Sequence, residues 1–256
     1  VVRTVGHVTG HSPVTKSPLR LFASLILLAP LMTIDATASS RSVGSAHGGQ
    51  LVNGFGLPLD GQHHAFFGPV EDRKSNFATL ELAALIGRAA RVVAAALPGG
   101  HPLMLGDCSV AGGGDIKRHV SHRSGRDVDM LFFRIDRGGD SLLADGFLRF
   151  DGRGQCQARK QCNARLDVPR TWWLLRTLLA SQEPAVQYVF VSRPIRRLLL
   201  GYAQSRGEHP EVLRRGRKVM RQPRSAARHD DHIHLRTYCT PEDQAAGCVD
   251  HGPRWP

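Results

Sequence analysis

Apolar and polar positions alternate in two short stretches, and those stretches carry most of the chain's chemistry. Over Asp127 to Phe133, Val128, Met130 and Phe132 fall on one face and Asp129 on the opposite one. Over residues 232–238, Ile233 and Leu235 share a face, and His232 and His234 share the other. A period of two predicts strands, with the apolar faces turned into a core. Two such strands meeting at their polar faces bring His122, Asp129 and His234 to one place. Elsewhere the period is helical. Leu82, Leu85, Ile86, Ala89, Val93 and Ala96 recur between Thr79 and Ala96, and Pro98-Gly99-Gly100 ends the run. Asp167 is a suitable N-cap for a second helix with Trp172, Leu175 and Leu179 as its buried stripe. Pro194 opens a third over Ile195 to about Arg206, and Glu211 to Met220 reads as a fourth. Leu103 to Gly106 and Val186 to Ser192 read as further strands. The spacing predicts an α+β single domain, a largely antiparallel sheet flanked by helices. Residues 39–75 and Asp136 to Leu166 lack a sustained period; the first is expected to be an irregular arm and the second a loop-rich insertion.

The beginning of the chain changes the picture. Lys16 and Arg20 precede the apolar run Leu21 to Met32, which is followed by Ala36-Thr37-Ala38. That order matches a secretory signal peptide over 1–38, cleaved after Ala38. About twelve apolar residues fall short of the roughly 20 that a spanning helix needs, so no stable membrane insertion is expected. The remaining chain divides into the arm at 39–75 and one domain at 76–252. Export, with the periplasm as destination, suits the five cysteines, Cys108, Cys156, Cys162, Cys239 and Cys248. Cys156 with Cys162, and Cys239 with Cys248, would each close a short loop and leave Cys108 over; sequence does not fix the connectivity. None of the five forms Cys-x-x-Cys, which argues against cysteine ligands.

The formal charge is +12, and +10 without residues 1–38, which hold three basic residues and one acid. Such a field attracts polyanions. The densest basic run, Arg214-Arg215-Gly216-Arg217-Lys218, lies beside no aromatic stacking platform and reads as a solvated helix face rather than a nucleic-acid site. The glycine-rich Ala111-Gly112-Gly113-Gly114-Asp115 lacks the patterns of a phosphate cradle and suits a turn or a close backbone approach. His63-His64 in the arm reads as a solvated pair. Trp172-Trp173 could line a groove, although helical spacing beside leucines puts at least one in the core.

The chemistry concentrates in His119-Val-Ser-His122-Arg-Ser-Gly-Arg-Asp127-Val-Asp129 and His229-Asp-Asp231-His232-Ile-His234. Zinc takes imidazole and carboxylate ligands, and a catalytic site uses three of them and leaves a position to water. Ser121 to Asp129 and His229 to Arg236 resemble the two motifs of the penicillin-insensitive murein endopeptidases, a group of zinc peptidases related to D-Ala-D-Ala dipeptidases and hedgehog-type domains. Asp167 to Leu175 and Val191-Ser192-Arg193 also look familial, and the likeness spans roughly residues 45–252. The resemblance implies one zinc per chain on His122, Asp129 and His234, with His232 as the neighbouring base. His119 and His229 then orient ligands or substrate, and Asp231 or Asp230 orients a histidine. The implied reaction is hydrolysis by a metal-activated water of the D-alanyl–meso-diaminopimelyl cross-links of peptidoglycan. Some relatives hold a second metal through the extra upstream histidine and a later Asp/His pair. No histidine lies between His122 and His209, so His119 is given only a supporting role. Two other readings stand beside this one: a zinc D,D-carboxypeptidase or dipeptidase acting on uncross-linked stems, and a non-catalytic peptidoglycan-binding protein. The oligomeric state is not legible.

Overall fold

The computed structural model describes residues 39–157, 162–224 and 226–255; the expected signal peptide over 1–38 lies outside the described residues. The centre of the fold is a six-stranded sheet in the order Met220–Arg221, Val186–Phe190, His232–Thr237, Asp127–Leu131, Leu103–Leu105, His64–Phe66. Its three central pairings are antiparallel and the outermost pairing on each side is parallel. The expected antiparallel character therefore holds in the middle, and the sheet as a whole is mixed. Six helices accompany it among the described residues, and none is long and apolar enough to cross a membrane.

The two faces of the sheet do different work. Val128, Met130, Ile233 and Leu235 are fully buried, in one cluster with Leu82 and Ile86 of the Leu80–Ala96 helix and Leu175 of the Val168–Ala180 helix. Each such apolar side chain contributes roughly 1.5–3 kcal/mol when fully buried. That is why the alternating strands cannot slip: one residue of slippage would drive the histidines into the core and Ile233 and Leu235 out of it. The helices start where their caps place them. The Thr79 side chain accepts from the Leu82 amide, and Asp167 Oδ1 accepts from the Arg170 amide at 2.9 Å.

Two stretches expected to be irregular carry structure. Residues 39–75 hold the antiparallel pair Arg41–Val43 and Gln50–Val52, the strand His64–Phe66 at the sheet edge, and the helix Pro69–Arg73. Asp136 to Leu166 is framed by a small three-stranded sheet of Arg134–Ile135, Ser141–Leu142 and Arg165–Leu166. Strands of two or three residues are too short to show a period, so their pairing is set by long-range contacts. Cys156–Cys162 and Cys239–Cys248 are disulfide-bonded, and Cys108 is free and buried. The glycine-rich segment serves backbone packing. Gly113 has φ 71°, and a Cβ there would collide with the Arg123 carbonyl oxygen.

Arg126 ties the Arg41–Val43 strand to Thr237 and to the segment around Asp250. Buried at 1% exposure, it donates to Ser42 Oγ at 3.1 Å, to the Thr237 carbonyl at 2.7 Å and to Asp250 Oδ1 at 2.9 Å. Removing one member of a buried pair leaves the other uncompensated, so Arg126→Ala is expected to lower stability by about 3–5 kcal/mol. Urea unfolding followed by circular dichroism checks this; a loss below about 1 kcal/mol would contradict it.

Candidate active site

The polar face of the two central strands is assembled by their register. In the antiparallel pairing His234 stands opposite Asp129, Arg236 opposite Asp127, and His232 opposite Leu131. His122 reaches the same place from the preceding loop, where its backbone adopts φ 67°. A left-handed conformation costs a non-glycine residue on the order of 1 kcal/mol. Two bonds hold it: the His122 amide donates to Asp127 Oδ2 at 3.2 Å, and its Nδ1 lies 2.9 Å from the Cys108 carbonyl oxygen.

Four imidazoles surround Asp129, and each has its other ring nitrogen committed to an oxygen. His122 Nε2 lies 3.4 Å, His234 Nδ1 3.2 Å and His232 Nε2 3.5 Å from Asp129 Oδ1. His119 Nδ1 lies 3.8 Å from Asp129 Oδ2. On their far sides, His234 Nε2 contacts Asp127 Oδ1 at 3.0 Å, His232 Nδ1 contacts Asp231 Oδ1 at 2.6 Å, and His119 Nε2 contacts Asp107 Oδ2 at 2.8 Å. An outer oxygen on each ring fixes its tautomer and turns the lone pair inward, the arrangement that metal-ligating histidines use. His122 Nε2 and Asp129 Oδ1 are buried without a hydrogen-bond partner. A tetrahedron with metal–ligand bonds of about 2.0–2.1 Å has edges of about 3.3 Å, close to the separations found here. The donor set fits a metal ion. The donors of His119, His122 and Asp129 all lie within 4.8 Å of one another, so the upstream histidine stands in the cluster itself.

Asp127 and Asp129 are ionised despite burial. Burial alone would raise their pKa values, but Arg236 and His234 hold Asp127, and His122 with His232 hold Asp129, well below the usual carboxylate range. The same charges act in reverse on the histidines. Burial lowers the pKa of His232, yet Asp129 and Asp231 outweigh it and the net direction is upward. His234 is likewise raised, burial being outweighed by Asp127 and Asp129. His229 is pushed down to about 4 by burial and by His232 and His234, and its ring lies 5.1 Å from that of His232. Asp231, and not Asp230, contacts His232; Asp230 is turned towards Arg149 at 3.3 Å.

Neither Asp107 nor the orienting use of Asp127 was legible in the two motifs. Asp127 shares a strand face with Asp129 two residues on, which is a usable signal; Asp107 lies in no motif. Burial would raise the Asp107 pKa, but His119, Arg73 and Ser75 bring it down to about 2. Because the folded value lies below that of a free carboxylate, this group's stabilisation is present above about pH 4 and is lost as pH falls towards 2. It amounts to roughly 2 kcal/mol. Asp107→Asn is therefore expected to flatten the acid side of the stability curve, measured as urea midpoint against pH between 2 and 5.

The cluster opens on a cleft of about 1610 Å³, larger than the roughly 300–1,000 Å³ of small-molecule sites. It extends to both sides of the histidines. Phe67 and Pro69, beside one sheet edge, line one end, and Tyr188, Met220 and Trp255 line the other. Phe147 packs edge-on against the His232 ring at 5.2 Å. Trp172 and Trp173 do not line this cleft; Trp172 is buried and donates to Glu208 at 2.9 Å.

The architecture is that of a mixed α/β domain whose sheet face gathers histidines and carboxylates that could hold a metal ion, open to a cleft. The family model of penicillin-insensitive murein endopeptidase matches residues 42–254, and the chain belongs to that peptidase family. No curated protein matches it.

Proposed function

We propose that the chain is a zinc-dependent murein endopeptidase that hydrolyses the D-alanyl–meso-diaminopimelyl cross-links of peptidoglycan in the periplasm. The reading rests on one observation above the rest: the buried His122 Nε2 and Asp129 Oδ1 lie 3.4 Å apart with no hydrogen-bond partner, and His234 Nδ1 stands 3.2 Å from the same carboxylate oxygen. These three residues would hold the ion. When bound, zinc supplies a Lewis acid and lowers the pKa of water to about 7. The protein's own groups do the remainder. His232, backed by Asp231 and steadied by Phe147, accepts a proton at Nε2 and returns it to the leaving amine. Asp127 and the Cys108 carbonyl keep His234 and His122 in the tautomers that turn Nδ1 and Nε2 inward. Asp107 does the same for His119, which stands next to the ligands.

The length of the cleft on both sides of the cluster supports an internal bond as target over a terminal one, and so favours an endopeptidase over a carboxypeptidase. The test is incubation of the zinc-loaded protein with dimeric muropeptides, followed by mass spectrometry. Conversion of dimers to monomers, blocked by a chelator and restored by zinc, is the expected result. Release of terminal D-alanine from intact dimers would replace the endopeptidase with a carboxypeptidase. Zinc binding with no product would leave a binding protein.

A further inference from the structure

One wall of the cleft is built from arginines with no counter-charge. Arg193, Arg196 and Arg197 come from the Arg193–Ser205 helix, Arg217 from the Pro210–Val219 helix, Arg221 from the edge strand and Arg224 from the loop beyond it. Among the described residues, none of the six has a carboxylate oxygen within 4.0 Å, whereas nine other arginines do. The carboxylates that line the same cleft are committed elsewhere: Asp107 to Arg73 and His119, Asp129 to the histidines, Asp231 to His232.

Holding these charges together is unfavourable. Arg196 has its pKa lowered first by partial burial and then by Arg221 and Arg217. Its Nε is buried with no hydrogen-bond partner. Like charges gathered without counter-ions on the wall of a cleft are stabilised when an anion enters, and guanidinium groups match the planar fork of a carboxylate. The distance is suitable. The edge strand Met220–Arg221 lies two strands from the histidine strand, about 10 Å at the usual strand spacing and within about three residues of extended peptide.

Resting on the murein endopeptidase reading, we propose that this arginine wall is a carboxylate subsite: it binds the free carboxylates that stem peptides carry beside the cross-link, and makes the enzyme selective for stems in which those carboxylates are not amidated. The diaminopimelyl residue, a dicarboxylic acid, retains such a group when its amine is in the cross-link.

The experiment compares dimeric muropeptides with free and with amidated carboxylates, for the parent and for the triple variant Arg193→Gln, Arg197→Gln, Arg224→Gln. All three side chains are exposed and, among the described residues, make no side-chain hydrogen bond. In the parent, amidation is expected to raise KM about tenfold or more, the scale of one charge-assisted pair, with kcat little changed. In the variant, the two substrates should have nearly equal KM. Equal KM for both substrates in the parent, or a variant that weakens both alike, would overturn the subsite. Co-sedimentation of the protein with intact and carbodiimide-amidated sacculi gives a second reading that needs no turnover. Preferential binding to intact sacculi, lost in the variant, supports the subsite even where no dimer is cleaved, an outcome that would count against the endopeptidase reading alone. Equal binding to both sacculi, or displacement by a DNA oligonucleotide as effective as free-carboxylate stems, would show a general polyanion surface and overturn it.

Discussion

The His234→Ala protein is expected to purify without zinc and to lose activity on dimeric muropeptides by about a thousandfold. His234 stands opposite Asp129 in the strand register, and its Nδ1 is 3.2 Å from Asp129 Oδ1. Neither strand neighbour can replace that nitrogen, because Ile233 and Leu235 point into the core. The loss extends beyond one ligand. Asp127 gives up its contact with His234 Nε2 and retains Arg236, so the carboxylate stays ionised but no longer orients a ligand. Zinc content by elemental analysis, beside the cleavage assay, separates loss of metal from loss of fold. Full activity in metal-free His234→Ala protein would sink the proposed mechanism.

His232→Ala is expected to behave differently: zinc content near that of the parent, and kcat lower by about 10²–10⁴. The side chain faces the same cluster from two residues away, but its partners are those of a base. Asp231 holds Nδ1 at 2.6 Å, and Nε2 points towards Asp129 Oδ1 at 3.5 Å. Its pKa is raised because Asp129 and Asp231 together outweigh burial. A raised value means that the neutral form is lost as pH falls, so the parent's kcat should decline on the acid side, and that limb should vanish in the variant. Asp231→Asn removes one of the two carboxylates that raise the value and should move the limb to lower pH. Loss of zinc from His232→Ala would make this histidine a ligand and reassign the base.

How the site reads from sequence differs from residue to residue. The alternation of Val128 and Met130 with Asp127 and Asp129, and of Ile233 and Leu235 with His232 and His234, specified both strands and the face on which each polar group lies. Asp167 announced its helix as an N-cap, whereas the capping role of Thr79 emerged only in the structure. Asp107 was invisible because its use depends on Arg73 and Ser75 from one segment and His119 from another. The arm at 39–75 misled because strands of two or three residues have no period of their own.

The sequence by itself determined the donor types, their spacing within each motif, and the faces of the two central strands, since these follow from local periodicity and side-chain chemistry. Tertiary structure alone decided that His234 meets Asp129 and Arg236 meets Asp127, which of Asp230 and Asp231 backs His232, and that six arginines from two helices, a strand and a loop share one wall. The reason is physical: period and capping act over a few residues. Register, burial and the summed field of distant charges exist only once the buried faces of Val128, Met130, Ile233 and Leu235 have locked the sheet against its helices.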